Sequence, residues 1–89
     1  MRFEWDPHKA RTNLRKHGVS FDEATSVFDD KAACFLADVA HSDVEDRCII
    51  VGTSATGRVL LVCYCWRGEE LARIFSARKP TSFEVLQYL

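Results

Sequence analysis

RCIIVGTSATGRVLLVCYCWRGEELARIFSAR, residues 47–78, decides the fold. It holds three extended runs, 47–54, 59–67 and 71–78, rich in the β-branched and aromatic residues that suit a pleated, half-buried surface. Ala55-Thr56-Gly57 and Gly68-Glu69-Glu70 join them. Links that short leave no room for a crossover helix and so specify antiparallel hairpins. ACFLADVA (33–40) upstream has the same extended character, which makes four consecutive antiparallel strands.

Working outward, FEW (3–5) is a short strand, and Asp6-Pro7 supplies an N-cap followed by proline at the first helical position. The helix runs through HKARTNLRKH with Ala10, Leu14 and His17 on one side and ends at Gly18, a residue suited to the left-handed position after a helix. Ser20 and Glu23 form a capping-box signature for a second helix, whose apolar stripe is Phe21, Ala24, Val27 and Phe28, stopping near Asp29-Asp30. Thr81 and Glu84 repeat that signature before Phe83, Val85, Leu86 and Tyr88, a closing helix. The order is β-α-α-β-β-β-β-α: one α+β domain over 1–89, a mostly antiparallel twisted sheet with helices packed on one face.

With 47% hydrophobic and 28% charged residues in 89, the composition is that of an ordinary globular domain with room for a single core. The longest apolar run, 59–66, falls well short of the ~20 residues a bilayer requires, and charge enters the amino-terminal stretch too early for a signal peptide, so a cytoplasmic protein without membrane contact is expected. Cys34, Cys48, Cys63 and Cys65 lack CxxC spacing and are expected to be buried, reduced thiols. No metal ligand set and no cofactor motif is expected either.

The net charge of −1 conceals a dipolar sequence. Residues 1–21 carry five basic and two acidic groups, 22–46 one and eight, and 47–89 six and three. Two basic ends around an acidic middle suit a polyanionic ligand more than the net charge does.

HSDVEDR, 41–47, has the residue types of a hydrolase triad, but neighbours in sequence do not form a nucleophile-base-orienter line, and no G-x-S-x-G elbow accompanies them. Turn and capping roles explain Ser42, Asp43 and Asp46, which leaves His41, Glu45 and Arg47 as candidates for chemistry. Arg47, Arg67 and Arg78 each terminate a strand run, and Arg73 lies inside LARIF, where an unpaired guanidinium is costly to bury. With Lys16-His17 on the first helix, they resemble a phosphate-binding surface. RNA cleavage by the 2'-hydroxyl requires a base, an acid and cations to stabilise the phosphorane-like transition state, and this inventory contains all three without a metal. His17 or His41 titrates near neutrality. Tyr64 or Trp66, on the strand parity opposite Arg67, offers a ring on which a base stacks if exposed.

The ordered series WDP, KHGVSF, HS..EDR, G.S..GR and RIFSAR, spread over nearly the whole chain, resembles the BrnT family, toxins of type II toxin–antitoxin systems. The resemblance implies a RelE-like fold and a metal-independent endoribonuclease that cuts RNA and halts translation. It also implies a BrnA-type antitoxin that wraps the toxin and binds operator DNA, so that the complex represses its own promoter. Carried onto matching positions, it marks Lys16, His17, His41, Glu45, Arg67 and Arg73 as catalytic candidates, with Arg47 and Arg78 as RNA contacts. Arg58, in the SATGR turn, is structural. The competing expectation is a non-catalytic nucleic-acid-binding or adaptor domain that uses the same basic surface only to hold phosphate.

Overall fold

The structure, a computed structural model, describes residues 1–37 and 47–88. In chain order the elements are β1 (Arg2–Glu4), α1 (Pro7–His17), α2 (Phe21–Ser26) running into a 3-10 turn at Val27–Asp29, β2 (Cys34–Ala37), β3 (Arg47–Thr53), β4 (Val59–Gly68), β5 (Leu71–Arg78) and α3 (Ser82–Tyr88). The sheet order is β1-β5-β4-β3-β2. The three pairs from β2 to β5 are antiparallel, and β1 runs parallel to β5 at its edge.

Local chemistry sets the helix ends. The Asp6 carboxylate accepts the His8 N–H at 2.8 Å, Pro7 opens the helix, and Gly18 closes it at φ 71°, donating its N–H to the Leu14 carbonyl at 2.9 Å. Arg15, Lys16 and His17 occupy the last turn, where unpaired carbonyls favour cations. Ser20 Oγ caps α2 by accepting the Glu23 N–H at 3.0 Å. The Glu23 side chain goes elsewhere. Arg58 donates to it through Nε at 2.8 Å and Nη2 at 2.6 Å, and the Ser54 and Thr56 hydroxyls donate at 2.7 Å each. This cluster fastens the β3–β4 turn to α2, the structural role expected of Arg58.

One sheet face, formed by Ile50, Leu60, Val62, Tyr64, Ala72, Ile74 and Ala77, packs on Val19, Phe21, Ala24 and Val27 to make the core. Tyr64 is 1% exposed within it and stacks edge-on against Phe28. Burial first, and neighbouring Cys48 second, push its phenol up to about 12. Tyr64 is therefore a core residue, and the expectation that it stacks on RNA is corrected. Trp66, the other ring singled out for stacking, lies on this face by strand parity but is 45% exposed.

Two further expectations change. Leu14 is 52% exposed, while Asn13 is the buried residue of α1. Its amide donates to the carbonyls of Val19 at 2.9 Å and Ala77 at 2.8 Å and accepts the Ala77 N–H at 3.1 Å. Beyond the short β1 pairing, Asn13 thus satisfies the edge of β5 as a strand would, and α1 lies along that edge. Nor are all helices on one face. Arg78, Leu61, Val51 and Thr53 share the face opposite the core cluster. α3 is fixed there by Glu84, which binds Arg78 at 2.9 Å, and by Tyr88, whose hydroxyl lies 2.9 Å from Thr53 Oγ1. Phe83 and Leu86 of α3 point outward, 71% and 68% exposed. None of the four cysteines forms a disulfide, and Cys65 alone of the four is fully buried.

Candidate functional site

The register of β5 shifts where Cys63 pairs with Ser76 and Tyr64 with Ile74, leaving Phe75 as an extra residue. This bulge lets Ile74 and Ala77, three apart, both face the core, and it turns the Phe75 and Ser76 pair to the other face. A row of cross-strand neighbours begins beside them: Arg47, Cys65, Arg73 and Glu4, one from each of β3, β4, β5 and β1.

Between that surface and α1 lies an open cleft of about 380 Å³, lined by His8, Lys9, Thr12, Asn13, Lys16, His17, Arg47, Phe75 and Ser76. The helix contributes two adjacent i, i+4 rows: His8, Thr12 and Lys16 form one, and Lys9, Asn13 and His17 the other. Asn13 sets their orientation, because its three hydrogen bonds lock the rotation of the helix about its axis against β5. The Arg47 guanidinium carbon stands 4.2 Å from the Phe75 ring centre and the Lys9 ammonium 5.4 Å from it. Among the described residues the lining therefore holds two imidazoles, two ammonium groups and a guanidinium, and no carboxylate. Such a cavity attracts anions and offers imidazoles as candidate proton donors and acceptors.

Of the residues marked from sequence, Lys16, His17 and Arg47 meet in this cleft. Arg73 is not in its lining and is held by Glu4 at 2.7 Å. Arg78 is engaged by both oxygens of Glu84, which raises its own affinity for the proton and holds Glu84 at about 2. Arg67 is the extra residue of a second register shift, exposed where β4 turns toward β5, and it is not in the cleft lining. His41 and Glu45 lie outside the described residues. His8, Lys9, Thr12 and Phe75 are cleft residues that sequence inspection does not mark. The available signal was the pair of i, i+4 rows on α1, polar throughout and hidden by the search for an apolar stripe.

The described residues thus form a small α+β domain with a cationic cleft at the edge of its sheet, an arrangement suited to an anionic ligand. The family model described as ribonuclease toxin, BrnT, of type II toxin-antitoxin system matches residues 5–84, and the chain belongs to that family. Its fold is that of the Brucella abortus ribonuclease toxin, BrnT, a crystal structure with which it shares a TM-score of 0.72 and 24% sequence identity over 92% of this chain and 99% of that one. Comparison with curated proteins gives no match.

Proposed function

We propose that this toxin cuts RNA in the cleft between α1 and β5, without a metal, by attack of a 2'-hydroxyl on the adjacent phosphate. The observation that carries this reading is the convergence of His8, His17, Lys9, Lys16 and Arg47 on one cavity. An imidazole takes the hydroxyl proton, a second acid returns one to the leaving 5'-oxygen, and Lys16 and Arg47 stabilise the charge that grows on the phosphoryl oxygens. His41 and Glu45 are retained as further candidates for proton transfer. Arg67 on β4 and Arg73 on β5 are retained as further catalytic candidates and Arg78 as an RNA contact, with the ion pairs of the latter two moderating their pull on RNA.

The same reading assigns a RelE-like mode of action, arrest of translation, to the free toxin in the cytoplasm. It pairs the toxin with a BrnA-type antitoxin whose complex with it binds operator DNA and represses the promoter. Incubation of purified protein with RNA in EDTA is expected to give fragments ending in 2',3'-cyclic phosphate. Strict dependence on an added divalent ion, or uncut RNA beside an active control, overturns it. Binding without cleavage, and harmless overexpression, instead identify a nucleic-acid-binding adaptor.

A further inference from the structure

We infer that Phe75 is a base-stacking platform, so that the cleft takes RNA as a single strand with at least one base turned out of its stack. The inference rests on the function proposed above and adds the substrate's form to it. Phe75 is the one carbocyclic ring among the described residues that line the cleft, and it is half-exposed with the Arg47 and Lys9 cations against it. It lies at the bulge, the residue of β5 left unpaired between Ile74 and Ser76, and shares the cleft with Ser76 and α1.

The groups around the ring fit a nucleotide rather than an isolated phosphate. Arg47, half-buried and with its guanidinium carbon 4.2 Å from the ring centre, is at stacking distance. Lys9 is exposed and stands farther off at 5.4 Å, on a flexible stem. A base that enters over Phe75 displaces the Lys9 ammonium toward a backbone phosphate, where its charge is better used, while Arg47 stays in place as part of the stack. Aromatic rings interleaved with cations are how proteins hold single strands, because every base has a π face and every nucleotide a charge. Bases inside an A-form duplex are already stacked and have no face to offer, so a duplex gains only the phosphate contacts.

Binding of a short 2'-O-methyl single strand, which lacks the attacking hydroxyl, tests this. The same measurement is made on a strand of equal length built from abasic units and on a duplex. The proteins compared are the wild type, Phe75→Leu, Phe75→Tyr and the double variant Lys16→Ala/Arg47→Ala, each checked for an unchanged melting temperature. Phe75→Leu is expected to weaken the base-bearing strand about tenfold, with Phe75→Tyr close to wild type and the abasic strand and duplex unmoved. Equal losses on base-bearing and abasic strands overturn the inference, because the ring then serves only to position Arg47. So does no loss with Phe75→Leu while Lys16→Ala/Arg47→Ala still abolishes binding, a result that leaves the cleft as the RNA site. If the double variant binds every strand as the wild type does, the cleft itself is not the site and both readings fail.

Discussion

Glu84 holds Arg78 by two parallel hydrogen bonds of 2.9 Å, one to each carboxylate oxygen. A guanidinium at a strand end, the type of group that phosphate attracts, here secures α3 to the sheet. Glu84→Gln is expected to lower stability by about 1 kcal/mol, since a charged, two-pronged contact becomes a neutral one at a partly exposed site. Affinity for RNA should not fall, because Arg78 is released. Denaturant melts and strand-binding titrations on the same preparation check both statements.

Acid should weaken the fold through two carboxylates. Glu23 is held at about 2, chiefly by the Arg58 hydrogen bond and then by Thr56 and Ser54, with burial opposing. Glu84 is held at about 2 by Arg78 and the Thr81 cap. Both values are depressed relative to 4.5, so the stabilisation is fully present above that pH and is lost as pH falls toward 2. Glu23→Gln should flatten the stability profile in this window while costing about 1–2 kcal/mol at neutral pH, the pair being partly solvated. An unchanged slope between pH 5 and about 2 would count against the cluster at Arg58.

Asn13 makes three buried hydrogen bonds, two of them to Ala77. Asn13→Ala leaves a strand amide and two carbonyls without their partner and is expected to cost about 2–4 kcal/mol. Asn13→Asp should be no better, because a carboxylate cannot donate to the two carbonyls. Amide exchange at Ala77 is the direct measure, and it should accelerate in both variants.

In the cleft, His17→Ala is expected to reduce single-turnover cleavage about 10²–10⁴-fold, the usual range for removing a general acid or base. Its melting temperature should be unchanged. His8→Ala should also slow cleavage, since the two imidazoles line one cavity. Lys16→Ala should raise the RNA concentration needed for half-maximal rate and reduce the salt dependence of binding. A His17→Ala protein that cuts at the wild-type rate removes His17 from the chemistry.

Much of the fold was legible because the decisive signals are local. Asp6-Pro7 and Gly18 bracket α1 through the backbone of their own neighbours, Ser20 caps α2 three residues on, and the two short turns force β3, β4 and β5 to lie antiparallel. The departures arise from distant partners. Leu14 has the spacing of a core residue, yet Asn13 is the one that finds a partner, on a strand 64 residues away. Alternation along β5 fails at Phe75 because a bulge carries no reliable mark in sequence. Tyr64 lies in a strand apolar on both faces, so parity with Arg67 says nothing of its exposure. The site was half-legible for the same reason: Lys16, His17 and Arg47 stand out by type, whereas His8, Lys9 and Phe75 gain meaning only when α1 is laid against β5.

The bond between Asn13 and Ala77 has a consequence for the order of events during synthesis. One wall of the cleft lies within the first 17 residues of the chain and the other is completed at Ser76. Closing contacts of such long sequence separation carries a loop entropy that shorter helical folds avoid, and makes assembly slow and late. A chain still emerging from the ribosome with β5 unmade has α1 without its partner strand and thus no cavity. On the function proposed above, a nuclease site in this cleft would form only once the chain has been made through Ser76, and a shorter nascent chain would be inert toward the message that encodes it.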